Sequence, residues 1–153
     1  MTRLSNRIWL LVAERAGYCC EYCKYPQHYA GAKLTIDHIV PLALGGSDVL
    51  SNLAFACHNC NQKKSNFQDG YDLLFDQMAP LFNPRTDVWR EHFRWSNDFG
   101  WIIGETAVGR ATVTRLDINL PGSVSMRELI ARAGTNFPPT DTLPEDFRDG
   151  FRL

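Results

Sequence analysis

The sequence predicts an α+β fold: a strand–loop–strand–helix unit in the first half, then a small antiparallel sheet with helices. Three observations carry this expectation. Residues 33–40 (Lys-Leu-Thr-Ile-Asp-His-Ile-Val) alternate and are β-branched, which reads as a strand stopped by Pro41. Leu53 to Ala56 is a second short apolar run, reached through the Gly45-Gly46-Ser47-Asp48 loop. From Cys57 the chain turns into a helix expected to run to about Phe67, so the order is ββα.

The other elements follow in order. Residues 5–16 read as a helix capped by Ser5, with Ile8, Leu11 and Val12 on one face and Gly17 at its end. Tyr18 to Pro26 reads as a tight cysteine knuckle. Tyr71 to Phe82 is largely apolar and reads as helical until Pro80. Asn83-Pro84-Arg85 is a turn, and Thr86 is placed to cap a short helix through His92. Phe93 to Trp95, Trp101 to Glu105 and Arg110 to Asn119 read as strands of the small sheet. Ser125 and Glu128 form a capping box, opening a helix with Met126, Leu129, Ile130 and Ala133 inward and Gly134 at its end. The segment from Pro138 is Pro-rich and acidic, with poor order expected. The expected organisation is a first module with the cysteine knuckle over 1–70, an extension packed on it over 71–137, and a tail over 138–153.

With 153 residues, 44% hydrophobic and 22% charged, the composition is that of a soluble globular protein. No apolar run approaches the ~20 residues of a membrane span. The apolar part of the N-terminus, Ile8 to Val12, is too short for a secretory signal, so the default compartment is the cytoplasm. Residues 1–66 hold seven Lys/Arg against four Asp/Glu, and residues 67–153 hold nine against thirteen. Attraction to phosphate is therefore local to the first half; the bland alternative is a solvated surface.

Five cysteines in a cytosolic chain read as metal ligands before disulfides. Four form two Cys-x-x-Cys pairs, Cys20 with Cys23 and Cys57 with Cys60. Four thiolates close a tetrahedral Zn²⁺ shell and leave no open position, so such a site is structural. The second pair sits at a helix start, where free N–H groups favour thiolate charge. Cys19 has a less usual spacing to Cys23, which leaves it as a packing or exposed thiol. The alternative for all of them is buried free thiols. His58 is given no role.

Asp37-His38, Pro41, Gly45-Gly46, Asn52-Leu53 and Cys57-x-x-Cys60-Asn61-x-x-Lys64 resemble the HNH endonuclease family. The likeness spans roughly Ala16 to Asn66, with residue types and order matching together. It implies a ββα-metal core that cleaves DNA phosphodiester bonds with a divalent ion, Mg²⁺ or Mn²⁺, held between hairpin and helix. On that likeness Asp37 and Asn61 are ligands of the catalytic ion, and a hard cation suits their oxygens. His38 is the general base, with an ordinary pKa near 6.5 suited to the task. Asn52 ties the loop to the hairpin and orients His38. Lys64, three residues after Asn61 on the same helix face, is a candidate phosphate contact, with a solvated lysine as the alternative. Water activated by His38 attacks in line, leaving 5′-phosphate and 3′-hydroxyl ends.

The second half says less. Residues 83–87 and 93–95 are similar to a segment that follows the motif in some bacterial, notably cyanobacterial, HNH proteins. Arg90, Arg94, Arg110 and Arg115, interleaved with Trp89, Trp95 and Trp101, are candidates for a DNA-contacting face; the alternative, preferred for the tryptophans, is a packed core. Two functions compete: an active endonuclease, and a catalytically silent zinc-stabilised module that binds nucleic acid or another protein. Monomer and homodimer both remain open.

Overall fold

The computed structural model describes residues 4–134 and 136–150; the ends of the chain, including the last three residues of the expected tail, lie outside them. Two compact units emerge. The first runs to Gln68 and takes in Asn83–Thr86; the second comprises Asp69–Phe82 and the chain from Asp87 onward. Among the described residues no helix is long and apolar enough to cross a membrane.

The first unit opens with α1 (Asn6–Arg15), whose N-cap Ser5 accepts a hydrogen bond from the Ile8 N–H. Its inward residues are Val12 and Ala13, whereas Leu11, expected on the buried face, is 43% exposed. β1 (Thr35–His38) and β2 (Leu53–Ala56) form a two-stranded antiparallel sheet, with Thr35 opposite Ala56 and His38 opposite Leu53. β1 is half the expected length, while all four residues of β2 are buried. α2 (His58–Lys64) follows directly, with Cys57 as its N-cap. Phe55 is fully buried and meets the Trp9 ring edge-on at 5.4 Å. Arg15 donates to the Leu50 and Leu53 carbonyls at 3.0 and 2.6 Å, tying α1 to the start of β2. Glu21 accepts the Phe55 N–H at 2.8 Å and forms an ion pair with Arg85, which fixes residues 83–86 to this unit.

The second unit departs further from expectation. Residues 71–82 are not a helix: β3 (Asp69–Asp72) and β4 (Gln77–Pro80) make a hairpin. Asp72 accepts the Leu74 N–H at 3.0 Å, and Asp76 takes a left-handed φ of 53°, so the turn is built by short polar side chains. Leu73, Leu74 and Phe75 sit at its tip, 71%, 67% and 64% exposed, so their apolarity does not report burial. α3 (Trp89–His92) leads into β5 (Phe93–Trp95), which pairs antiparallel with β6 (Ile102–Gly104).

The expected third strand is instead α4 (Ala107–Leu116), capped by Thr106, whose hydroxyl accepts the Gly109 N–H at 3.0 Å. A Cβ on Gly109 would lie 2.0 Å from the His92 carbonyl oxygen, so this close approach requires glycine. α5 (Pro121–Arg132) begins at Pro121, four residues before the expected capping box. Val124, Arg127 and Ile130 are its buried residues, while Met126 and Leu129 face outward at 38% and 54% exposure. Arg127 is fully buried because Gly100 O, Ile118 O and Asn119 Oδ1 accept its hydrogen bonds. Part of the expected tail is ordered: Thr142 is buried and α6 (Glu145–Gly150) follows.

Trp89 and Trp95 stack in the core of this unit with ring centroids 5.2 Å apart, and Trp101 is half exposed. The four arginines considered for a DNA face each have an acidic partner: Arg90 with Glu145, Arg94 with Glu105, Arg110 with Asp72, Arg115 with Asp69. Partners of opposite charge cancel the field such a face needs.

Candidate active site

The knuckle brings two sulfurs together by tight turns. Tyr18 and Lys24 adopt left-handed φ values of 58° and 65°, and the Lys24 N–H closes on the Cys20 carbonyl at 2.8 Å. The Cys23 N–H points at Cys20 Sγ at 3.5 Å, and the Cys60 N–H at Cys57 Sγ at 3.4 Å. The sulfurs of Cys20, Cys23, Cys57 and Cys60 all lie within 4.8 Å of one another, with Cys23 and Cys57 3.6 Å apart. A tetrahedral ion with Zn–S bonds of about 2.3 Å needs sulfurs roughly 3.8 Å apart, so this cluster could hold zinc. Cys19 lies outside it.

The protonation pattern fits the same conclusion. Hydrogen bonds from Cys20, Cys23 and Cys60 pull Cys57 far below the usual thiol range. Hydrogen bonding with Cys20, then with Cys57, and burial push Cys23 up against an opposing contact from Cys60; Cys60 is pushed up by Cys20 first, then Cys23, Cys57 and burial. A bound dication favours loss of the protons from thiols held this close together.

Beside the cluster runs a groove of about 850 Å³, lined on one side by Thr35, Asp37, His38 and Asn61. β1 and α2 build that wall. The Asn61 Nδ2 donates to Thr35 Oγ1 at 2.9 Å, and Lys64 Nζ donates to Asp37 Oδ1 at 3.2 Å, so two contacts three residues apart on α2 match two residues apart on β1.

Asp37 is 3% exposed, and its Oδ2 accepts the Tyr22 hydroxyl at 2.6 Å. Burial raises its pKa, with Lys64 and the Tyr22 hydroxyl opposing that shift. Burial, and then the Asp37 charge, hold the Tyr22 phenol well above its usual range. Each carboxylate oxygen accepts one hydrogen bond here and keeps a further lone pair. Together with the amide oxygen of Asn61, the donor chemistry suits a hard, oxygen-seeking cation.

Lys64 differs from its sequence-based role. It is 2% exposed, and its ammonium also donates to the His38 and Ile39 carbonyls at 3.0 and 3.2 Å. Those three internal acceptors replace the expected contact with a substrate phosphate. His58, likewise, holds the Lys33 carbonyl at 2.9 Å.

Residues 20–67 match the family model described as HNH endonuclease. The chain carries an HNH domain. No curated protein and no solved structure matches it. An HNH domain suggests nuclease activity with metal binding, and implies a nucleic-acid substrate.

Within the HNH domain, the loop between β1 and β2 is held by Asn52. Its Oδ1 accepts the Val40 N–H at 2.8 Å, and its Nδ2 donates to the Val40 and Ser47 carbonyls at 3.0 and 2.9 Å. Gly46 is required where the loop closes, because a Cβ there would lie 1.8 Å from the Val40 oxygen. The residue after Ser47 is Asp48, and its Oδ1 sits 2.7 Å from His38 Nε2. Sequence reasoning passed over Asp48 as part of a loop. The signal available to it was only an acid four residues before Asn52. A carboxylate accepts and does not donate, so Nε2 carries the hydrogen and Nδ1 the lone pair. The His38 side chain is 19% exposed at the groove, and in its neutral form this contact leaves Nδ1 as the nitrogen with the lone pair.

Proposed function

We propose that the HNH domain is a divalent-metal-dependent endonuclease that hydrolyses DNA phosphodiester bonds, leaving 5′-phosphate and 3′-hydroxyl ends. The observation that carries this reading is the groove lined jointly by Asp37, His38 and Asn61. Zn²⁺ on Cys20, Cys23, Cys57 and Cys60 keeps the knuckle on the start of α2. Asp37 and Asn61 would hold Mg²⁺ or Mn²⁺, which when bound supplies positive charge to a non-bridging oxygen and the 3′ leaving oxygen.

The chain's own residues supply the rest. His38 takes a proton at Nδ1 from the attacking water as its oxygen bonds to phosphorus and the opposite bond from phosphorus to the 3′ oxygen breaks, the departing oxygen taking its proton from solvent. Asp48 accepts the Nε2–H of His38, fixing the tautomer and steadying the imidazolium that forms. Asn52 acts one step further out, by holding the Ser47 carbonyl next to Asp48. Lys64 balances the Asp37 charge from behind.

One observation favours a second reading. Asp37 already has a cation, Lys64, at 3.2 Å, which suits a scaffold that binds nucleic acid without cutting it. Supercoiled plasmid incubated with the protein across a panel of divalent metals separates the two. Nicked or linear product with Mg²⁺ or Mn²⁺, and its end chemistry, supports the nuclease; retarded but uncut plasmid in every metal supports the silent module.

A further inference from the structure

The groove does not end at Asp37, His38 and Asn61. It continues along the chain preceding β1 to Asn6 and Trp9 of α1 and to Lys33. Trp9 is fixed there: its Nε1–H donates to the Leu34 carbonyl at 2.8 Å, and Phe55 meets its ring edge-on. The Lys33 ammonium lies over the indole, 4.7 Å from the ring centroid. The backbone under Lys33 is held as well, since its carbonyl accepts from His58.

The exposed Lys33 chain thus rests on the indole at the rim of the groove, with its ammonium N–H groups open to solvent, where phosphate oxygens can accept them. Lys33 and Asp37 are the lysine and the carboxylate of this groove, and Asp37 is balanced by Lys64 from inside the fold. Among the described residues lining the groove, Lys33 is the lysine, and no carboxylate among them pairs with it. It lies five residues before His38, about 16 Å along an extended chain, too far to share the phosphate at His38.

We propose that Lys33, positioned by Trp9, forms a second phosphate subsite that grips the nucleic-acid backbone beside the scissile position. The inference rests on the nuclease reading of the groove and names a contact that reading does not contain. Lys33 supplies affinity and register; the chemical step stays with His38.

The test uses the full chain with His38→Ala, so that substrate is bound and not consumed, and a short fluorescent DNA duplex titrated at several salt concentrations. Adding Lys33→Ala is expected to weaken binding about three- to tenfold at low salt and to lower the slope of log affinity on log salt by about one. Lys33→Arg should restore both, because a guanidinium also sits on an indole face and on a phosphate. In the active protein Lys33→Ala should raise KM with kcat nearly unchanged. Equal affinity and equal salt slope for Lys33→Ala overturn the subsite while leaving the nuclease reading intact. Failure of the His38→Ala parent to bind DNA at any salt, with no cleavage by the wild type, overturns both.

Discussion

His38 Nε2, at the end of β1, and Asp48 Oδ1, ten positions further along the chain, lie 2.7 Å apart. The pair leaves Nδ1 as the basic nitrogen and makes Asp48 the residue that keeps it so. Asp48→Asn preserves the shape and removes the obligate acceptor. The expected outcome is a fall in kcat of about 10–100-fold with KM little changed, by analogy with residues that orient a catalytic imidazole. Initial rates on supercoiled plasmid check it; an unchanged kcat removes Asp48 from the mechanism.

Lys64 tells a different story from the surface lysine its spacing suggested. Replacing it with Met or Ala leaves Asp37 buried without its cation, a loss on the order of 3–5 kcal/mol. Thermal or urea unfolding of Lys64→Met should show that loss with no DNA present. A lysine serving only a substrate phosphate would leave stability unchanged and alter binding alone.

The thiolate cluster predicts one zinc per chain. Cys23→Ser or Cys60→Ser should abolish stoichiometric zinc and unfold the first unit, while Cys19→Ser should change neither. Thiolates must lose their protons to bind, so zinc affinity falls as pH falls. Metal analysis after dialysis at successive pH values reads this directly; zinc retained by Cys23→Ser would count against the four-sulfur shell.

Much of the first unit was legible because its signals are local. A β-branched alternation, a glycine pair and two cysteine spacings each fix a short piece of chain, and the pieces lie close in sequence. Asp48 was not legible, since its meeting with His38 depends on Asn52 holding the Ser47 carbonyl, a relationship between a loop and a strand. The periodicity that put Lys64 on the face of Asn61 was sound, but it could not say whether that face looked into the fold or out of it.

The second unit misled for physical reasons. Thr112, Val113 and Thr114 read as part of a strand, yet the Thr106 cap and the close seat of Gly109 against His92 go with a helix there. In the β3–β4 hairpin the apolar residues crown a turn, so hydrophobicity there carried no information about a buried helix face.

Asp72 gives that unit a pH signature. Hydrogen bonds from Arg110, above all, hold its carboxyl below the usual carboxylate range. A depressed folded pKa contributes stability that is present above the ordinary value near 3.9 and is lost as pH falls through the folded value. Asp72→Asn should therefore unfold more readily than wild type at neutral pH, with the gap closing below about pH 4. A gap that persists undiminished into strong acid would show that shape, and not charge, is what Asp72 supplies.

On the proposed reading, His38 activates water for phosphodiester cleavage in an HNH domain held by zinc. The most direct measurement is single-turnover cleavage of supercoiled plasmid by His38→Ala in Mg²⁺ or Mn²⁺, on protein shown to keep its zinc and its unfolding midpoint. The expected result is a loss of at least about 100-fold in the rate, the scale of a general base. A zinc-loaded, folded His38→Ala protein that cuts as fast as wild type would contradict the account.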